Sequence, residues 1–443
     1  SPYRLCVVVT SKTERLGRRP VKRPPFAHGA PFHTLPQHAF RLEPSYRALS
    51  RARNPVSTSR QPPDFDKIRG DFPRARTAAY FDNASSHPLS SQSANVLRRY
   101  ADWLEHDVGE PWWPAWAQDR DAAQHLFAQL INADRAEIAF ARSTVEAESN
   151  VLNGMGAHLS GGNIVTNDLA YGSILSNYKM RELDGLEVRI VRHRDWQIDL
   201  ADMANAIDDK TRLVSVALVS NVNGVVADVR ALSELAHAKG ALLYADIMQA
   251  AGGIPIDVRE MGIDIAACST FKWLMGVKGY GFLYVRADLQ GTIVKPSQHG
   301  GGISLNYDPW TQTPDPEKAA IGFGSGHGPA QYEISYPSYE GALCAQESLR
   351  YILDLGVDNI RSHARDLTDR LHDELPRLGY RSITPRDNDS PILSCITPDP
   401  TAAMDRLRAA GVHVAMRFGN KMRLSPSVFN NQDDVTRLLE TLS

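Results

Sequence analysis

Asp246 closes one apolar run of this 443-residue chain, in Tyr244-Ala-Asp-Ile-Met-Gln249, and Lys272 follows the next, in Ser269-Thr-Phe-Lys-Trp273. A carboxylate and an amine at the ends of neighbouring strands can face each other across a flat ring. That is the layout pyridoxal phosphate (PLP) requires: a lysine holds the aldehyde as a Schiff base, and an anion keeps the pyridine nitrogen protonated and electron-withdrawing. Gln249, three residues past Asp246, is spaced to hydrogen-bond the cofactor's phenolic oxygen or the lysine. Taken singly, a strand-end aspartate is a turn cap and a lysine is a solvated surface group. Together the three point to PLP.

The elements that must position them follow from periodicity. Short apolar runs at 137–141, 163–166, 187–191, 213–219, 241–245, 264–268 and 281–285 alternate with helical stretches such as Val229 to Lys239. This predicts βαβ units and a mostly parallel sheet covered by helices, whose ligands bind at the carboxyl ends of the strands. Asp246, Ser220 with Asn221, and Arg142 to Thr144 all fall at such ends. Phe140-Ala-Arg-Ser-Thr144 runs straight into an amphipathic helix over Val145 to Met155. The free N–H groups and positive dipole end of such a helix suit a phosphate, although Ser143 or Thr144 alone reads as an ordinary N-cap.

Composition narrows the class. The formal charge is −2, which gives no bulk attraction to nucleic acid or membrane. No apolar run approaches the roughly 18 residues a membrane span needs. Four scattered cysteines, Cys6, Cys268, Cys344 and Cys395, show no metal-ligand spacing and suggest a reduced, cytoplasmic protein without a structural metal. Residues 1–60 differ from the rest: twelve Lys/Arg against Glu14 and Glu43, with eight prolines. This segment reads as a poorly ordered extension; a targeting peptide or an upstream-extended start would look similar. A glycine-rich interval over 295–328 contains Gly300-Gly301-Gly302, and a long helix is predicted from Tyr339 to Leu355 ahead of alternating helix and strand.

Beyond these readings, residues 65–443 resemble the class V aminotransferase family of fold-type I PLP enzymes, which includes cysteine desulfurases, isopenicillin N epimerase-like proteins and kynureninases. The resemblance rests on Tyr80-Phe-Asp-Asn-Ala-Ser85, Phe140 to Asn150, Ser220-Asn-Val-Asn-Gly224, Asp246 to Asp257, Ser269 to Tyr284 and Met422 to Asn431. It implies an α/β fold with a mostly parallel seven-stranded sheet in a large PLP-binding domain (91–338) and a smaller α+β C-terminal domain (339–443). A segment over 63–90 would pack on the small domain, behind the extension at 1–62. It further implies Lys272 as the Schiff-base lysine, Asp246 at the pyridine nitrogen, Gln249 and Asn221 near the phenolic oxygen, and Ser143, Thr144 and Ser269 at the phosphate. Tyr171 would stack on the ring, with a half-buried core tyrosine as the alternative. Arg423, in Met422-Arg-Leu-Ser-Pro426, would grip the substrate carboxylate through its planar fork, with an interface salt bridge as the alternative and Arg417 as a second candidate. Asn83, Ser85 and His299 are further substrate-side candidates.

Departures from the family pattern shape the reaction expected. Phe271 stands where a histidine commonly precedes the lysine. The Gly-Thr pair that a neighbouring subunit lends to the phosphate corresponds to Ser335-Tyr336, so a homodimer with a shared site is expected. The interval Val412 to Lys421 lacks the desulfurase nucleophilic cysteine, and Cys395 lies in an apolar, strand-like run. The common first step is loss of the Cα proton from an amino acid joined to PLP, with the freed Lys272 amine as base. The leading expectation is then β-elimination, a C–S lyase acting on a cysteine S-conjugate. Transamination, epimerisation and decarboxylating oxidative deamination are the alternatives, and a catalytically inert scaffold is disfavoured by the intact Asp246, Gln249 and Lys272. Trp112, Trp113 and Trp116 read equally as a stacking platform for a bulky substrate or as an interface staple.

Overall fold

A computed structural model describes residues 62–106, 113–297, 303–307, 310–312, 315–323, 328–335 and 338–443. The extension up to residue 61, the side chains of Trp112, Trp113 and Trp116, and residues His299 and Tyr336 lie outside the described residues.

Strand β1 (Ala79–Tyr80) lies apart from the main sheet. That sheet contains β2 (Ile138–Ala141), β3 (Asn163–Asn167), β4 (Glu187–Val191), β5 (Thr211–Ala217), β6 (Leu242–Asp246), β7 (Ile265–Ser269) and β8 (Gly281–Val285). Their order is β2-β8-β7-β6-β5-β3-β4. All seven expected runs form strands of this sheet. β8 alone runs antiparallel to both of its neighbours, β2 and β7. The other strands share one direction, so the carboxyl ends of β2, β3, β5, β6 and β7 meet on one rim.

Burial explains why these runs form inner strands. Every residue of β6, β7 and β8 is buried, as expected where helices cover both faces. At the outer edge, β4 is partly exposed and carries Glu187 and Arg189, charges that discourage pairing with a further strand. Helix Val229–His237 turns Val229, Leu232 and Ala236 inward, and the side chain of its N-cap Asp228 accepts from the Ala231 amide.

A short hairpin of β9 (Ile303–Leu305) and β10 (Ile321–Phe323) follows the large sheet. The long helix occupies Tyr339–Leu355 as expected. A second, antiparallel sheet contains β11 (Arg381–Ser382), β12 (Leu393–Ile396), β14 (Ala415–Arg417) and β15 (Lys421–Leu424), in the order β11-β12-β15-β14. β13 (Val412–His413) pairs in parallel with β1. Helices Val357–Glu374, Pro400–Ala409 and Gln432–Leu442 bury Leu371, Leu407 and Leu438 against Leu393 and Leu424. Each such leucine contributes about 2 kcal/mol. The polypeptide before β1 is tied to this layer: Arg69 donates to both carboxylate oxygens of Asp434 at 2.7 and 3.0 Å and to the Phe429 carbonyl at 2.6 Å. Among the described residues no helix is long and apolar enough to cross a membrane.

Candidate active site

Asp246 is the last residue of β6, and its register partners are Ala217 on β5 and Ala267 on β7. Small neighbours on both sides leave space above the carboxylate. The side chain is buried and accepts from the Met248 amide at 2.9 Å. Burial raises its pKa, while that N–H and the Lys272 ammonium pull it back toward the ionised form. Lys272 follows β7 by three residues. Burial lowers its amine to about 8, against the pull of Asp246, with Arg423 lowering it further. A buried amine of this kind is partly neutral near physiological pH and serves as a nucleophile and a base.

These two groups share one cavity with six of the other expected residues. Ser143, Thr144, Tyr171, Asn221, Gln249 and Ser269 all line it, with apolar wall from Val145, Ala217, Val219, Met248 and Phe271. At one end, Ser143 caps helix Thr144–Gly154 by accepting from the Glu146 amide at 3.1 Å. Thr144 and Ser269 bond reciprocally: the Thr144 amide donates to Ser269 Oγ at 2.9 Å, and the Ser269 amide donates to Thr144 Oγ1 at 3.1 Å. The end of β7 is thereby fixed against a helix N-terminus, the arrangement that binds phosphate. Tyr171 is 43 % exposed, and its ring centre lies 6.0 Å from Lys272 Nζ.

Asn221 has a buried Oδ1 with no partner among the described residues, which leaves its amide to bond something in the cavity. Gln249 is less available. Its Nε2 donates to the Ala84 carbonyl at 3.0 Å and its Oε1 accepts from Trp273 Nε1 at 2.8 Å. It acts as a strut between the Asn83–Ser85 segment and the lysine turn.

The basic end lies where the antiparallel sheet meets this rim. Arg423 on β15 is 5 % exposed; it donates to the Asn221 carbonyl at 2.8 Å and to Ser85 Oγ at 2.6 Å. Asp82 stands 3.4 Å away, and Arg423 Nε has no protein partner. Arg417 donates to the same Ser85 Oγ at 2.7 Å. Asn83 is not brought to the cavity. It is wholly buried, with Nδ2 donating to the Ser425 carbonyl at 2.8 Å. Ser335 is exposed at φ 56° and is not among the cavity-lining residues.

Sequence reasoning missed Phe271 and Met248 as wall residues, and Asp82 beside Arg423. It also missed Glu148, whose signal was a charged side chain three positions before Val151 and four before Leu152 on the buried face of its helix.

A sheet with a lysine, a carboxylate and a helix N-terminus gathered at its carboxyl rim defines a fold-type I PLP enzyme. The sequence profile described as aminotransferase class-V matches residues 80–438, and the chain belongs to this family. Among similar proteins, a probable cysteine desulfurase of Methanothermobacter thermautotrophicus is 26% identical over 403 residues, covering 85% of this chain and 97% of its own. The cysteine desulfurase IscS of Pasteurella multocida is 33% identical over 238 residues, 50% of this chain and 57% of its own. Among solved structures, a cysteine desulfurase of Thermococcus onnurineus NA1 superposes with a TM-score of 0.75 at 23% identity, covering 87% of this chain and 98% of its own. The cystine C–S lyase C-DES, in complex with its product cysteine persulfide, superposes at 0.73 with 17% identity, covering 84% and 98%. The enzyme is PLP-dependent, and its residues fit that cofactor: a buried amine of lowered pKa, a buried carboxylate, a helix N-terminus and an unpartnered amide surround one cavity.

Proposed function

We propose that the enzyme cleaves the C–S bond of a cysteine S-conjugate by β-elimination. The observation that carries this reading is the β14–β15 connection. Only Phe418, Gly419 and Asn420 join the two strands, with Phe418 at φ 46° and Gly419 at φ 83°. A hairpin this tight presents no long loop over the site, and it contains no thiol. The three cysteines among the described residues are buried; burial pushes the Cys344 and Cys395 thiols up to about 12 and raises Cys268 as well. Thiols in that state are poor sulfur acceptors, so a mechanism that passes sulfur to one of these three cysteines is disfavoured and release of the sulfur fragment is favoured.

PLP bound in this cavity would supply the electron sink for the pair left at the substrate's Cα. Asp246 would hold the proton on its pyridine nitrogen, Ser143, Thr144 and Ser269 would hold its phosphate, Asn221 would bond its phenolic oxygen and Tyr171 would cover one ring face. Arg423 takes the substrate α-carboxylate where it now bonds Ser85, with Arg417 beside it. Lys272 accepts the Cα proton. The Cβ–S bond breaks with its electron pair leaving on sulfur, and the departing thiolate takes up a proton. Water then releases pyruvate and ammonium. Incubation of the holoenzyme with S-substituted cysteines is expected to yield pyruvate and free thiol in equal amounts. Amino transfer to an oxo acid, or inversion at Cα without pyruvate, would replace this reading with an aminotransferase or a racemase.

The same reading includes a homodimer in which the segment around Ser335 reaches the neighbouring copy's phosphate end. In its support, Glu333 is buried just before Ser335 and accepts from Gln124 Nε2 at 2.7 Å and the Phe140 amide at 3.2 Å. This anchors the segment while Ser335 remains exposed. Sedimentation at twice the chain mass is expected.

A further inference from the structure

One buried acid has no part in the chemistry above. Glu148 lies one turn into helix Thr144–Gly154, with no exposed surface. Its Oε1 accepts from Tyr178 Oη, and that phenol lies 2.5 Å from Ser215 Oγ. Tyr178 belongs to helix Gly172–Arg181, the helix that begins just after Tyr171. Ser215 lies on β5, opposite Tyr244 on β6. Two residues further along the same pair of strands, and therefore on the same face, Ala217 lies opposite Asp246. Ser215, and with it the Tyr178–Glu148 pair, thus sits one pleat, about 7 Å along the strands, behind Asp246. Glu148 Oε2 and Tyr244 Oη are both buried without a protein partner.

Among the described residues no lysine, arginine or histidine pairs with Glu148. A carboxylate buried in this way protonates rather than pays the cost of desolvation. The groups facing it are Tyr178, Ser215, Tyr244 and Asp246, with Cys268 and Lys272 beyond. Burial is the largest influence on Glu148 and raises it to about 8; the Tyr178 bond lowers it and the Asp246 charge raises it. Asp246 has the Met248 amide and the Lys272 ammonium to favour its charged form, whereas Glu148 has only the Tyr178 hydroxyl. A negative charge is therefore better accommodated on Asp246 than on Glu148.

We propose that Glu148 is a positioning residue for the cofactor: a neutral acid, held by Tyr178, which Ser215 also contacts, that leaves Asp246 the one negative charge beside the ring site. It touches neither substrate nor cofactor and acts through Asp246. The proposal rests on the PLP site and not on which bond the enzyme breaks.

The test reads the visible absorption of the bound cofactor in the holoenzyme as pH rises from about 6 to 10, in wild type, Glu148→Gln and Tyr178→Phe. Ionisation of Glu148 adds a charge behind Asp246, so wild type is expected to show a spectral step near pH 8. Glu148→Gln, of the same shape but unable to ionise, loses that step. Tyr178→Phe, which removes the bond that favours the anion, moves it to higher pH. Melting temperature gives a second reading. The folded pKa is about 8 and the ordinary value 4.5, so folded wild type is progressively disfavoured as pH climbs through that window. Glu148→Gln should gain on wild type between those pH values and then level off. Superimposable spectral profiles, or a melting difference that stays constant with pH, would overturn the proposal and leave Glu148 a packing residue.

Discussion

Arg423 is held by the Asn221 carbonyl, Ser85 Oγ and Asp82, and the proposed mechanism gives its guanidinium the substrate carboxylate. A lysine there keeps the charge but loses the fork. Arg423→Lys is expected to lower kcat/KM by about 10- to 100-fold, equivalent to about 1.5–3 kcal/mol, chiefly through KM. On the proposed mechanism Lys272→Ala removes both the covalent anchor and the base; steady-state assays should find turnover at least about 1000-fold lower. With wild-type enzyme, kcat should rise as pH climbs through about 8, because burial has lowered the Lys272 amine from 10.5 and the neutral form is the base. A flat profile between pH 6 and 9 would assign the proton to another group. At this scale the sequence was most readable where chemistry demands a residue type, as at Asp246 and Lys272. It was least readable where the main chain decides. Nothing in the residues flanking Asn83 indicates that its amide turns inward to the Ser425 carbonyl, or that both ends of Gln249 are taken by Ala84 and Trp273.

The strands were legible because each is a short apolar run between turn residues, and the buried faces demand it. The direction of β8 was not. A strand buried on both faces has the same apolar composition whichever way it runs, and only the short connection from β7 through the lysine turn, with no crossover helix, reverses it. That reversal brings Gly281 opposite Ser269, where a Cβ would meet the Cys268 carbonyl at 2.5 Å and Ser269 Cα at 2.9 Å. Gly281→Ala must push β8 off β7 at the point where Ser269 bonds Thr144. We expect about 1–3 kcal/mol of lost stability and weaker PLP retention, read by chemical denaturation and by cofactor titration. Unchanged cofactor affinity in a destabilised variant would separate the strand contact from the phosphate end.

Across the whole molecule, the rim that gathers chemistry has a counterpart at the other end of the sheet that gathers structure. Asp264, with no exposed surface, accepts from the Leu243 amide at 2.7 Å, contacts His237 Nε2 at 2.8 Å and pairs with Arg286. Asp264→Asn should cost about 1 kcal/mol, since Arg286 is partly exposed and keeps Asp288 as a partner, measured by denaturant unfolding. Activity per folded molecule should not change, because the carboxyl ends carry the site; a matching loss of kcat would show that strain crosses the sheet. The site's assembly from β2, β3, β5, β6 and β7 was foreseeable from the rule that parallel strands share a ligand-binding edge. Its closure by the C-terminal strands was not, since the bonds from Arg423 to Asn221 and Ser85 join residues 202 and 338 positions apart.

The Thr144–Ser269 bond has a consequence for how such a protein can change over time. It makes the phosphate anchor and the lysine turn one rigid body belonging to the large sheet, whereas the two arginines that meet at Ser85 belong to the antiparallel sheet. On the proposed mechanism, reactivity and recognition are therefore carried largely by separate pieces, joined where Arg423 bonds the Asn221 carbonyl. A search for altered specificity should begin with β14, β15 and their turn, leaving Arg423 itself in place.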